Sequence, residues 1–260
     1  MMSFEADGFL SPEIDNFRDA VNSESPSKEW FEFAGALNRA CHEVLCQLSV
    51  PQTNDEPALV LAALLLRALQ SYQAAVILTE RGMTGDARAV LRTAVEGVIA
   101  IHALAASPAF LDRLEGQDQA NQRVLAMVVS DEPALMAGYT PDERRQIEAL
   151  SREKNDKPKI NWCDEAKSCP GIYPLLYRLL STGGTHTNLD TIGRHLEKDA
   201  NGHPTGVRGG PDLEGIASVL RIATEVAFLA IEPFVKLAAT DVLGERFQGL
   251  RDRRNALPET

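Results

Sequence analysis

The strongest constraint on this chain is a pair of apolar stretches punctuated by a glycine. From Glu56 to Glu80 nearly every residue is apolar or small, the run ends at Gly82, and a second begins after Thr84 with Asp86 in its first turn. Glycine just past a helix end stops one helix, and a carboxylate complementing the helix dipole starts the next. The pattern predicts a tight antiparallel helix hairpin over about 56–106. Helices apolar around much of their circumference have little solvent face, so the hairpin belongs to the interior of a bundle. Ala58–Leu66 is the strongest apolar run, about half of a membrane span, and Arg67 closes it. Ala217–Val235 is longer but carries Arg221, Glu225 and Glu232 at helical spacing. Both read as core helices, and no membrane partner is expected.

Helix signals continue from end to end, and no run of alternating β-branched residues bounded by turns interrupts them. The expected fold class is all-α: a helical bundle around the interior hairpin, with a long C-terminal helix from about 212 to 239 bending at Pro233. Residues 1–26 form a polar N-terminal arm, 27–245 a single helical-bundle domain, and 246–260 a charged C-terminal tail, an extension through Arg254 that leads into a disordered end. Within the domain, a helix is predicted from about 27 to 48. Ser107-Pro108 ends the hairpin and opens a more polar helix to about Val129. Thr140-Pro-Asp-Glu143 supplies an N-cap, a proline at N1 and acidic residues in the first turn of a helix reaching about Glu153. A short helical segment covers 173–181, another about 190–196, and residues 199–211, rich in turn formers, form a loop.

Charge and cysteine content narrow the function classes. The 37 acidic residues outnumber 26 basic ones, giving a formal charge of −11 that repels polyanions and argues against a broad nucleic-acid-binding face. Cys41, Cys46, Cys163 and Cys169 lack CxxC spacing and a following His-x-x-x-His, so zinc-finger chemistry is unsupported. Free thiols suit a reducing cytoplasm, and Met1–Asp7 is acidic without the features of a secretory leader. Cytoplasmic location is therefore expected. His186/Asp190 and His195/Asp199 have metal-compatible spacing but read as solvated pairs, so no metal site is assigned. Neither Gly183-Gly184 nor Arg208-Gly-Gly-Pro211 has the spacing of a phosphate-cradling loop, no Gly-x-Ser-x-Gly occurs, and no cofactor is expected.

Chemistry concentrates in two places. Along Asp86–His102 almost everything is apolar or small except Arg88, Arg92, Glu96 and His102, which fall within about a third of the helical circumference. As a solvated face, Arg92 and Glu96 would be an i,i+4 pair of ~0.3–0.5 kcal/mol. On an interior helix, the same charges need partners from other helices to offset desolvation. The second place is Tyr177-Arg-Leu-Leu-Ser181-Thr-Gly-Gly-Thr-His186-Thr-Asn188, a helix end running into two glycines that permit close backbone approach. The candidate ligand-binding residues are Arg88, Arg92, Glu96, Tyr177, Ser181 and His186. The candidate catalytic residues, if there is catalysis, are His186, Arg92 and Glu96.

These residues also carry a resemblance. Gly82-x-x-Gly-Asp-Ala-x-x-Leu91-Arg92-Thr-x-x-Glu96, followed about ninety positions later by Tyr-x-x-x-Ser181 and a nearby His186, resembles the bacterial domain-of-unknown-function family numbered fifty-six seventy-seven, over approximately residues 55–240. Here Thr-Gly-Gly-Thr separates Ser181 from His186, where the family is expected to have a shorter spacer. Such proteins look like relatives of the HEPN group of α-helical bundles, some of which are metal-independent ribonucleases of toxin and phage-defence systems. That group's nuclease motif sets a His four to six residues after an Arg. In this chain residues 179–185 separate Arg178 from His186, and Arg194 and His195 are adjacent. The expectation is a bacterial protein that binds a ligand or protein partner through its polar cluster, in a stress or defence pathway, with a homodimer compatible with its apolar faces. The alternative is a metal-independent endoribonuclease, the one reading in which RNA is a partner. There a His would serve as general acid or base on the ribose 2′-OH while an Arg stabilised the phosphorane.

Overall fold

The computed structural model describes residues 4–23, 27–47, 56–153, 157–182, 189–238 and 241–258. Helix α1 spans Ile14–Ser23 and α2 Ser27–Gln47, while α3 (Glu56–Glu80) and α4 (Thr84–Ala106) form the expected hairpin. After them come α5 (Phe110–Asp131), α6 (Pro141–Arg152), α7 (Ile216–Ala238) and α8 (Asp241–Asn255). The all-α class holds.

The hairpin turn follows from Gly82. Its φ of +71° lets α3 close with two bonds, from Met83 N–H to Leu78 C=O at 2.9 Å and from Gly82 N–H to Thr79 C=O at 2.9 Å. These are the two bonds of a Schellman closure. The Gly82 carbonyl in turn accepts from Asp212 N–H at 2.9 Å, which ties the turn to the approach to α7. A side chain at Gly82 would also meet Pro211, with its Cβ 2.5 Å from the proline Cβ.

Helix α4 is the axis of the core. Leu91, Val95, Val98, Ile99 and Ile101 are fully buried, packed with Leu65 and Leu69 of α3, Phe33 and Leu37 of α2, and Val219, Leu220 and Val226 of α7. Each large side chain removed from water contributes about 1.5–3 kcal/mol. Both α3 and α4 are long and apolar enough to cross a membrane by length and composition, so the qualifying stretch is longer than Ala58–Leu66 alone. In the fold they pack against each other and α7. Thr140 caps α6 as expected, and Glu143 reaches back to complete a full capping box.

Three expectations change. Residues 199–211 are not all loop, because β1 (Leu196–Lys198) pairs antiparallel with β2 (Pro204–Val207), in register Leu196 with Val207 and Glu197 with Gly206. Asp199 braces the connection by accepting from Asn201 N–H at 2.8 Å and His203 N–H at 2.9 Å. Residues 246–260, expected as a charged tail, are helical through Asn255, with Phe247 buried against Phe228. Their charges coexist with packing because the Arg251 and Arg253 guanidinium groups lie over the rings of Phe228 and Phe33, at 4.8 and 5.7 Å. The chain end is anchored as well, since Trp30 Nε1 donates to the Pro258 carbonyl at 3.2 Å. Finally, the segment at 173–181 begins as a π-helix, Ile172–Tyr177, and becomes α-helical only at Arg178–Leu180.

Candidate functional site

Arg92 and Glu96 stand one turn apart on α4, and Tyr177 and Ser181 have the same four-residue spacing on the segment opposite. Two such pairs can meet face to face because i,i+4 side chains project from the same side of a helix. They do meet. Arg92 Nε donates to Ser181 Oγ at 3.0 Å, and Nη2 donates to the Tyr177 hydroxyl at 2.7 Å. The same Nη2 lies 3.3 Å from Glu96 Oε1, to which the Tyr177 hydroxyl donates at 3.4 Å. The Arg92 guanidinium carbon is also 4.9 Å from the Tyr177 ring centre.

A second tyrosine extends this cluster. Tyr173 stacks on Tyr177 with ring centres 4.8 Å apart and planes 13° from parallel, and Arg178 lies 6.0 Å from the Tyr173 ring. The π-helical turn carries both tyrosines, and Gly171, at φ +89°, is its entry. Such wide turns recur at functional positions in helices.

Exposure decides what kind of cluster this is. The Arg92 and Glu96 side chains retain 27% and 26% of their accessible surface, so the charges are shielded but reachable from solvent. Partial burial, reinforced by the Glu96 carboxylate and opposed by Arg92, raises the Tyr177 phenol above its ordinary value. It stays a neutral donor throughout the physiological range. Ser181 Oγ accepts from the Arg92 guanidinium and so helps to fix its orientation. The arrangement suits binding: a guanidinium fixed in orientation by three partners, beside a paired aromatic surface.

The other predicted residues lie elsewhere. Arg88, one turn before Arg92, lines a separate concavity with Arg194, Lys198 and Arg208. His102, at the far end of the stripe, is 2.9 Å from the Leu229 carbonyl and joins α4 to α7. His186 lies outside the described residues. Tyr173 was not singled out from the sequence, although its four-residue spacing from Tyr177 was the available signal. Among the described residues, no three His, Cys, Asp or Glu side chains gather as a metal site. His203 Nδ1 lies 3.5 Å from Asp199, whose carboxyl is held below its usual range mainly by the backbone N–H of His203 in the β-hairpin turn.

No curated protein and no solved structure matches the chain. A family model described as a family of unknown function (DUF5677) matches residues 58–204, a span that runs from the first turn of α3 through α6 and includes all four residues of the Arg92 cluster. The chain belongs to that family of unknown function.

Proposed function

We propose that this chain is a bacterial cytoplasmic binding protein that takes a ligand or protein partner through Arg92, Glu96, Tyr177 and Ser181, in a stress or phage-defence pathway. The observation that carries this reading is the hold on Arg92. Its Nε and Nη2 are engaged by Ser181, Tyr177 and Glu96, while Nη1 makes no hydrogen bond among the described residues. Fixing a guanidinium before a partner arrives lowers the ordering cost of binding. The pathway rests on the family likeness alone, and the cytoplasmic setting on the free cysteines.

The test compares wild type, Arg92→Ala and Tyr177→Phe produced in a bacterial host. Native mass spectrometry reads any bound species, and total RNA integrity and the melting temperature of each purified protein are recorded alongside. A bound mass in wild type, diminished in both variants while RNA stays intact, supports binding. RNA cleavage by wild type, lost in a stable Arg92→Ala protein, replaces the reading with the endoribonuclease one. Absence of any bound mass, with Arg92→Ala strongly destabilised, reduces the cluster to a structural tie.

A further inference from the structure

Helices α5 and α6 form an arm that meets the rest of the molecule at its root. Phe110 is fully buried with Ala103 and Leu104 of α4, and Leu111, Leu114 and, from α3, Leu64 pack against that group. Arg113 fixes the same root by pairing with Glu165 at 2.6 Å. Beyond Gly116, which sits against Pro158, α5 packs chiefly against α6. That pairing is thin. On α5 it buries Ala120 and Ala126, both small, and no side chain of α6 is fully buried. A helix has to bury its apolar stripe against another element, and this arm offers each helix one neighbour where a bundle offers two or three.

The apolar surface that a further helix would cover is exposed. Phe110, Leu114, Gln117, Asn121, Val124 and Val128 recur at alternating four- and three-residue spacing, so they line one side of α5. The first two dock the helix at its root, and the last two continue the same side into solvent. Leu125 and Met127 flank Val124 and Val128 on the same turn, and Leu135 and Tyr139 follow in the connection to α6. These six apolar side chains keep between 40% and 65% of their accessible surface. Together they expose roughly 400 Å² of apolar surface, the size at which a patch marks an interaction site. The stretch is also almost uncharged. No Asp or Glu occurs between Asp118 and Asp131, and the one cation there, Arg123, turns to the Ser151 carbonyl at 3.4 Å.

Charge and area select the occupant. A formal charge of −11 makes two copies of the chain repel over most of their surface, so they approach best where acidic residues are missing, as they are along this part of α5. A two-fold axis sets the patch against itself. The two copies then contribute about 800 Å² of apolar surface, close to the apolar share, slightly more than half, of a standard interface of ~1,600 Å². We propose that the α5–α6 arm is a dimerisation element: two copies pair through Val124, Leu125 and Val128, and their arms close into one four-helix bundle. The Arg92 cluster contributes no residue to the arm, so this assignment does not depend on that cluster being a binding centre.

The test follows the mass of the full chain by sedimentation equilibrium over a range of protein concentrations. Wild type is expected to form a reversible dimer. L125D/V128D should raise its dissociation constant at least about a hundredfold, because each copy then sets carboxylates against those of the other. Both positions are exposed, so the variant should fold, which its melting temperature checks. L125A/V128A, which adds no charge, should weaken the dimer about tenfold and keeps the test open should the aspartates disturb folding. Ile77→Asp, at an exposed position of α3, and Arg92→Ala should dimerise as wild type does. A wild type that stays monomeric up to about 100 μM overturns the assignment, whatever other protein the arm captures from a lysate. A dimer unchanged in the folded L125D/V128D protein overturns it too. Loss of the dimer in Ile77→Asp alone moves the contact to α3, and a mass that grows without limit replaces the two-fold pair with open assembly; either result overturns the arm as the dimerisation element.

Discussion

Arg92→Ala is the sharpest probe of the central cluster, because its cost can be worked out from the contacts. The substitution removes the 3.0 Å bond to Ser181, the 2.7 Å bond to Tyr177, the 3.3 Å pair with Glu96 and the packing over the Tyr177 ring. A hydrogen bond contributes about 1 kcal/mol net, and an exposed i,i+4 ion pair ~0.3–0.5 kcal/mol. An exposed cation–π contact adds about 0.5–1 kcal/mol. These contributions share one guanidinium and are not additive, and water enters the vacated space because about a quarter of the side chain is already accessible. The expected loss is about 2 kcal/mol. In a domain of this size that lowers the melting temperature by roughly 4–8 °C. Urea unfolding and calorimetry measure it, and a double-mutant cycle with Tyr177→Phe isolates the 2.7 Å bond, with an expected coupling of about 1 kcal/mol. A loss above about 4 kcal/mol would refute the reasoning, since that is the signature of breaking a buried ion pair. A coupling indistinguishable from zero would refute it from the other side, by removing the evidence that the tyrosine holds the arginine.

Three further outcomes test the frame around the cluster. Gly82→Ala places a side chain at φ +71° against Pro211 and should cost more than about 2 kcal/mol in chemical unfolding, while Gly209→Ala, with nothing within 4 Å, should stay within about 0.5 kcal/mol of wild type. Thiol titration with Ellman's reagent should modify the exposed Cys46 and Cys163 quickly, and Cys41 and Cys169 only on unfolding, because burial raises both buried thiols, Cys41 to about 12. The backbone N–H and hydroxyl of Thr140 hold the Glu143 carboxyl below its usual range, so the capping interaction is fully present above the unfolded glutamate value near ~4.3 and is lost as pH falls through the lower folded value. Amide protection at the start of α6, taken relative to the intrinsic exchange rate at each pH, should fall across that acidic window, and Glu143→Gln should remove most of that pH dependence.

What the sequence disclosed and what it withheld divide along the range of the interactions. The α3–α4 turn was legible because Gly82 and Asp86 act on the backbone within a few residues, and the helix start capped by Thr140 for the same reason. Arg92, Glu96, Tyr177 and Ser181 were legible as two i,i+4 pairs, but their meeting spans 81–89 positions, and no local rule brings them together. The stripe from Arg88 to His102 shows why. Its residues share one side of a helix, yet that helix passes the basic cavity, then the tyrosine pair, then α7, so residues aligned on the stripe face three different neighbours. A periodic pattern gives direction and leaves the neighbour to the fold. The charged C-terminal segment misled in the opposite sense, because its arginines pack over Phe228 and Phe33. The cavity lay deepest in the tertiary structure. Lys198 and Arg208 stand ten positions apart in a stretch rich in turn formers, and they become one wall only when Leu196 pairs with Val207 across strands too short to show alternation. That hairpin and the central cluster are independent: if the strand pairing fails in solution, Lys198 and Arg208 separate, while the Arg92 cluster, held by α4 and the tyrosine turn, is untouched.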